Sequence, residues 1–314
     1  MRTPAFSVVI PCYNVAATIE ETIGSVAAQT FADLEIIAVD NNSTDNTAAV
    51  LAKLARTEPR VRIFSETVQG PSAVRNAGIR ASRGAYIAFL DGDDLFDPDY
   101  LEMHARNFAS GDIGVSYSRV RLVDQKGRPT GNVTNPPMRG LTAPHLLRAN
   151  PCTSIVVVRR EVFDKAGLFD LSLKRVEDQE WLFRVAAAGF EFRGIDRAIA
   201  SYRITPGGLS YNIPGMLDAH GQMLAAAGRV APALVARHGR LSKAAMLRYC
   251  ARRAIDHRAG HDDARSYLWR MMATAPDLIL REPVLTAKTI VAVVAPSLTS
   301  KFIRGTVRLQ TGDA

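Results

Sequence analysis

The first hundred residues alternate short, continuously apolar runs with stretches of helical spacing, and this constrains the fold more than any other feature. Phe6–Ile10, Leu34–Val39, Val61–Phe64 and Ala85–Leu90 read as strands, too uniformly apolar to keep one face in water. Between them Val15–Gln29, Asn46–Arg56 and Ser72–Ala81 read as helices with Ala-rich stretches. Such a β-α-β-α-β-α-β series predicts a parallel sheet covered by helices. Ligands of these sheets bind at the carboxyl ends of the strands, so chemistry is expected in the loops after Ile10, Val39 and Leu90. A second group of strands is expected at Ile113–Val123, Ser154–Val158 and Ile199–Tyr202, separated by the Gly/Pro/Asn-rich stretch 127–140. From about Gly215 the pattern is mainly helical.

With 47% hydrophobic and 22% charged residues among 314, the chain can bury one large core and leave material for a smaller unit. Cys12, Cys152 and Cys250 lie far apart, form no CxxC pair and are odd in number. They indicate neither a zinc site nor a disulfide framework and point to a reducing compartment. The run Phe6–Ile10 is too short for a signal-peptide core. Ile290–Ala295, the longest later run, ends at Pro296, well below the roughly 20 residues that span a bilayer. A cytoplasmic protein without a membrane span is expected.

The net charge of +8 sits in the last third: residues 211–314 carry 15 Lys and Arg against 7 Asp and Glu, whereas residues 1–210 carry 24 of each sign. No nucleic-acid motif accompanies it, so no nucleic-acid partner is expected. Within Lys301–Leu309, Lys301, Arg304 and Arg308 form a basic stripe turned away from Phe302, Ile303 and Val307. The stripe predicts peripheral contact with anionic lipid on the inner face of the cell membrane.

The first strand runs into Pro11-Cys12-Tyr13-Asn14, and the first glycine of the chain is Gly24. A dinucleotide-binding domain and a nucleotidyltransferase both place a Gly-rich phosphate loop here, and Gly-Lys-Ser/Thr occurs nowhere, so these readings and the P-loop lose most of their weight. Pro11 can also simply end the strand and Tyr13 simply pack. The second strand ends at Asp40, where a carboxylate can accept the imide N–H of a uracil ring; Thr44 or Asp45 reads as a helix N-cap. The fourth strand ends in Asp91-Gly92-Asp93-Asp94, with Asp97-Pro98 read as the start of the next helix. Three carboxylates within four residues repel one another unless a cation sits among them. Mg²⁺ or Mn²⁺, held by one or two carboxylates plus phosphate and water, suits that setting.

In order, Ser7-Val8-Val9-Ile10-Pro11-Cys12-Tyr13-Asn14, Val39-Asp40-Asn41-Asn42-Ser43-Thr44-Asp45, Gly70-Pro71-Ser72-Ala73-Val74-Arg75-Asn76-Ala77-Gly78 and Asp91-Gly92-Asp93-Asp94 resemble family 2 glycosyltransferases. Val176-Glu177-Asp178-Gln179-Glu180-Trp181 resembles that family's Glu-Asp motif. The resemblance covers roughly residues 5–210. It implies an α/β, Rossmann-like GT-A fold with a mixed sheet over residues 1–210 (nucleotide-sugar binding in 1–110, acceptor binding in 111–210), followed by a basic helical region, 211–314. It implies a donor site lined by Pro11, Tyr13, Asn14, Asp40, Asn42, Arg75, Asn76, Asp91 and Gly92, with the metal on Asp91 and Asp93. Asp178 is then the general base, and Glu177 and Trp181 meet the acceptor.

Two departures stand out: Tyr202-Arg203-Ile204-Thr205-Pro206-Gly207-Gly208 lacks the histidine many relatives carry, and Asp40-Asn41-Asn42 replaces the common Asp-Asp-Gly. With no Gln-x-x-Arg-Trp and no expected membrane helix, transfer of one sugar at a time is expected rather than processive synthesis. The expected enzyme moves a hexose or N-acetylhexosamine, with inversion, from a UDP-sugar to a glycan or lipid-linked acceptor in bacterial surface polysaccharide assembly. The alternatives are a non-catalytic sugar-nucleotide scaffold and a nucleotidyltransferase.

Overall fold

The computed structural model describes residues 3–204, 212–256 and 261–295. The first half runs β1 (Phe6–Cys12), α1 (Ile19–Ala27), β2 (Leu34–Asp40), α2 (Thr47–Thr57), β3 (Val61–Ser65), α3 (Pro71–Ala81), β4 (Tyr86–Phe89), β5 (Leu95–Phe96) and α4 (Tyr100–Ala109). Then come β6 (Val115–Val123), β7 (Pro129–Val133), α5 (Ala143–Arg148), β8 (Val156–Arg159), α6 (Val162–Ala166), α7 (Glu177–Ala187) and β9 (Phe192–Arg203). Helices α8 (Ile213–Val230), α9 (Pro232–Asp256), α10 (His261–Thr274), α11 (Leu278–Arg281) and α12 (Pro283–Val294) follow.

The strands form one nine-stranded mixed sheet in the order β3-β2-β1-β4-β8-β6-β9-β5, with β7 on β6. The four strands of the expected series are parallel, β2 pairing with β3 and β1 with both β2 and β4. Their continuous apolarity has a direct cause. Successive strand residues point to opposite faces, and along β1, β2 and β4 both faces are covered: Val9, Ile37, Val39, Ile87 and Phe89 enter one core, Val8, Ile10, Ile36, Ala38, Ala88 and Leu90 the other. β3 departs from the expectation: as the edge strand it leaves Ile63 exposed and Arg62 and Phe64 half-buried. Register then aligns the strand ends. Cys12 sits opposite Asp40, Asn41 N donates to Cys12 O at 2.8 Å, and Leu90 N to Val9 O at 3.1 Å. The loops after β1, β2 and β4 therefore open along one edge of the sheet.

Several sequence expectations are corrected. The last strand of the sheet runs from Phe192, not Ile199, because it pairs in parallel along β6 with a register shift near Arg119. The stretch 127–140 contains β7, which pairs with β6 despite its Gly, Pro and Asn. The helix expected to start at Asp97-Pro98 starts at Tyr100. Asp97 N instead donates to Ile199 O at 2.9 Å, which ties that segment to the sheet. The C-terminal helices build a third cluster around Leu247, Cys250, Met271 and Val293. No helix among the described residues is long and apolar enough to cross a membrane. The expected boundary at residue 210 and the basic stripe at 301–309 lie outside the described residues.

Candidate active site

Three loops at the sheet edge are held by side chains. Asn14, at φ 53°, accepts from Thr44 N at 2.8 Å, and Asn14 N donates to Ser43 Oγ at 3.1 Å. Asp45 accepts from Thr47 N at 2.9 Å, at the start of α2, and from Ala16 N at 3.1 Å. The N-cap of α2 is Asn46, not Thr44 or Asp45; Asp45, one residue ahead, steadies the first residue of the helix and zips the β1 loop to the β2 loop. Asn41 accepts from Gly70 N at 2.9 Å and donates to Glu66 O at 2.7 Å, while Asn42, at φ 61°, donates to Thr67 O at 2.9 Å. The two asparagines that replace the common Asp-Gly therefore fasten the 66–70 loop. At the end of β2, Asp40 Oδ1 is buried without a hydrogen-bond partner among the described residues.

The turn after β4 is clamped from two sides. Gly92 O accepts from Thr18 Oγ1 at 2.9 Å and Thr22 Oγ1 at 3.1 Å. A Cβ on Gly92 would stand 3.0 Å from Pro11 O, so close approach of the two loops favours glycine there. Arg203, at the end of β9, donates Nε to Asp93 O at 2.8 Å and its backbone N to Asp94 Oδ1 at 2.8 Å. Asp94 Oδ2 is buried without a partner among the described residues, and burial, then Asp91 and Asp93, push the Asp94 carboxyl well up.

Arg75 on α3 joins this turn to α7. Its side chain is only 7% exposed; it donates to Asp91 Oδ1 at 2.9 Å and to Glu177 Oε1 at 2.5 Å. Asp91's other oxygen accepts from Ser154 Oγ at 2.9 Å. Asp178, partly exposed beside the buried Glu177, accepts from Asn150 Nδ2 at 2.8 Å and from Gln179 N at 2.7 Å. Burial raises both the Glu177 and Asp178 carboxyls, and the Arg75 charge counters it in each. Burial pushes the Tyr202 phenol up too, followed by the field of Asp94, Asp91, Asp93 and Asp178. That common influence marks a converging acidic site.

Among the described residues, no three or more His, Cys, Asp or Glu are grouped to hold a metal ion. A cation held at this turn would have few protein ligands. The partly exposed carboxylates of Asp91 and Asp93 fit such a role, since Mg²⁺ and Mn²⁺ commonly complete their shells with phosphate and water. Val176 at φ 53° and Thr153 at φ 62°, both β-branched, flank the Asp178 region in left-handed conformations. Such strain persists only where surrounding structure imposes it.

Pro11 and Asp40 lie at the ends of β1 and β2, Tyr13, Asn14, Asn42, Asp91, Gly92 and Asp93 on the loops, Arg75 within α3 and Asp178 in the first turn of α7. Three expected residues are turned into the protein. Trp181 is 1% exposed, its ring stacked between Phe163 at 5.0 Å and Phe169 at 4.9 Å, and its Nε1 donates to Gly167 O. Neither face is open to a sugar. Asn76 is buried and exchanges two 2.9 Å bonds with the Phe169 backbone, so it holds that loop instead of lining the donor site. Glu177 is likewise buried, with its Oε1 turned onto Arg75. Sequence reasoning missed Asn150 and Ser154, which lie on an irregular segment without a local signal, and the clamping role of Arg203.

A family model for Glycosyl transferase family 2 matches residues 7–167, over half of the chain. The putative teichuronic acid biosynthesis glycosyltransferase TuaG of Bacillus subtilis (strain 168) is 27% identical over 67% of this chain and 82% of its own length. An uncharacterized glycosyltransferase of Rickettsia felis is 30% identical over 64% of this chain, which spans only 33% of that protein's length. Among solved structures, S. aureus TarS 1–349 in complex with UDP-GlcNAc superposes with a TM-score of 0.57 at 18% identity, over 83% of this chain and 89% of that one. Mannosyltransferase PcManGT from Pyrobaculum calidifontis, in complex with GDP-Man and Mn²⁺, gives 0.60 at 20% identity, over 96% and 89%. At such identities the superpositions speak for the fold, which is GT-A. The motif-bearing loops of this sheet lie within the matched segment, and the chain belongs to glycosyl transferase family 2.

Proposed function

We propose that the protein transfers one sugar at a time from a nucleoside-diphosphate sugar, UDP-linked, to a hydroxyl of a glycan or lipid-linked acceptor, with inversion at the anomeric carbon. The observation that carries this reading is the meeting of Asp91 and the Glu177-Asp178 pair around Arg75. It brings a donor-side carboxylate and a carboxylate able to accept a proton to one site. The unpartnered Asp40 Oδ1 offers an acceptor for a uracil imide. Pro11, Tyr13, Asn14 and Asn42 shape the entrance around it.

Asp91 and Asp93 would hold Mg²⁺ or Mn²⁺, which when bound neutralises charge on the leaving diphosphate. Asp178 takes the proton of the attacking hydroxyl. Burial lifts its basicity toward neutral pH, where a general base works best. Asn150 Nδ2 holds Oδ2 and Gln179 N holds Oδ1, so the carboxylate that takes the proton is fixed in orientation from both sides. TarS with UDP-GlcNAc and PcManGT with GDP-Man and Mn²⁺ support a nucleotide-sugar donor and a divalent cation, and the name of TuaG supports a place in bacterial surface polysaccharide assembly. Contact of residues 301–309 with anionic lipid belongs to the same reading. The test is release of free UDP from UDP-sugars with and without a polysaccharide or lipid-linked acceptor. Release that depends on acceptor supports transfer; nucleotide binding without release in any acceptor's presence contradicts it.

A further inference from the structure

Helix α12 is apolar on both sides, with Val293 and Ile290 packed on the third cluster and a row of valines facing outward. Along Pro283–Val294 its buried positions are Thr286, Thr289, Ala292 and Val293, while Val284 is 66% exposed, Val291 44% and Val294 62%. A helix lying on a core ordinarily keeps its outer face polar. The inward threonines are satisfied within the protein: Arg248 donates to Thr286 Oγ1 at 2.9 Å, and Thr289 Oγ1 donates to Leu285 O at 2.9 Å. At 3.6 residues per turn Val284, Ala287, Val291 and Val294 share one side, and Lys288 is the helix's single charged residue. Leu280 in α11, just ahead, adds a side chain that is 84% exposed.

The charge of this region selects what covers the face. Residues 211–314 carry 15 Lys and Arg against 7 Asp and Glu, and residues 296–314 hold Lys301, Arg304 and Arg308 against Asp313 alone. A second copy would bring the same excess of positive charge and be repelled. A surface of anionic headgroups would attract it, at about 1 kcal/mol for each nearby Lys or Arg. An exposed apolar face on a net basic segment of the chain fits a helix lying in the interface.

We infer that α12 lays its Val284, Val291 and Val294 face into the headgroup boundary of an anionic bilayer. The inference stands independently of the transfer reaction, and the face it assigns, on α12, is distinct from the 301–309 stripe whose charge it draws on. The test is co-sedimentation of the full chain and its Val284→Asp/Val291→Asp variant with phosphatidylcholine vesicles, with and without phosphatidylglycerol, at low salt and at about 0.5 M salt, where charge attraction is screened but apolar burial is not. The wild type is expected to bind the anionic vesicles and to keep part of that binding at high salt. The variant is expected to bind about tenfold more weakly and to lose the salt-resistant part. The same loss is expected of Val284→Ser/Val291→Ser, which serves if the aspartates lower the melting temperature. Equal binding by wild type and variants, or wild-type binding abolished by salt, would overturn the inference. So would a lipid-free wild-type dimer that the substitutions turn into a monomer, which would make a second copy the occupant.

Discussion

Arg75 and Glu177, 102 positions apart in sequence, face each other at 2.5 Å inside the protein. The same guanidinium reaches Asp91 at 2.9 Å, so one α3 side chain locks the β4 turn to the start of α7. Removing it leaves two carboxylates without their cation. Arg75→Met should therefore destabilise the protein by about 3–5 kcal/mol, the usual cost of breaking a buried pair. Arg75→Lys should retain more stability yet still lose donor affinity, because one ammonium cannot reproduce the fork. Thermal unfolding and UDP binding of the two variants check this, and wild-type stability in Arg75→Met would contradict it.

Asn150 donates to Asp178 Oδ2 at 2.8 Å, a bond that favours the ionised carboxylate. Without it the Asp178 pKa should rise. Asn150→Ala is expected to move the acidic limb of the pH–rate profile to higher pH and to lower turnover at neutral pH. An unmoved limb would show that Asn150 does not act through Asp178.

The parallel half of the sheet was legible because burial on both faces leaves unbroken apolar runs, and the loops bearing Asp40, Asp91 and Asp93 follow from where such strands end. The long range contacts were not. Nothing local marks Asn150 or Ser154 as partners of Asp178 and Asp91, since their roles arise from the crossing of segments 28 and 63 residues apart. Trp181 misled for a related reason: an aromatic one turn into a helix reads alike whether it faces a ligand or, as here, Phe163 and Phe169. The edge strands β5 and β7 are too short or too polar to signal themselves, and pairing with β9 and β6 makes them.

His104 is fully buried beside Ser116, and burial pulls its pKa down to about 3; burial pulls His220 down to about 4. The unfolded chain binds these protons near pH 6.5, so the unfolded state holds more protons between that value and the folded pKa. The histidine contribution is therefore intact above about pH 6.5 and lost progressively as the pH falls. The raised carboxyls of Asp94, Glu177 and Asp178 act in the opposite sense, so the histidine effect is read as a difference. The stability gap between wild type and His104→Gln should change as the pH falls from 7 to 4, the wild type losing ground at roughly 1.4 kcal/mol per pH unit for one proton. Parallel melting-temperature curves would contradict this.

Asp91, Asp93 and Asp94 lie close enough for the first two to raise the third, and a diphosphate approaching them meets like charge. Binding of UDP should therefore be strong in Mn²⁺ or Mg²⁺ and weak in EDTA, and Asp93→Ala should weaken it about tenfold or more in the presence of the cation. Calorimetric titration gives the answer, with equal affinity in EDTA and Mn²⁺ as the contrary result.

The most direct measurement of the account is transfer by Asp178→Asn, which keeps the side chain's size and its bond to Asn150 within reach while removing the base. Turnover should fall by roughly 10² to 10⁴, the usual worth of general-base catalysis, with donor affinity little changed and the wild-type product inverted at the anomeric carbon. Near-normal turnover in the variant, or a product that keeps the donor's anomeric configuration, would contradict it.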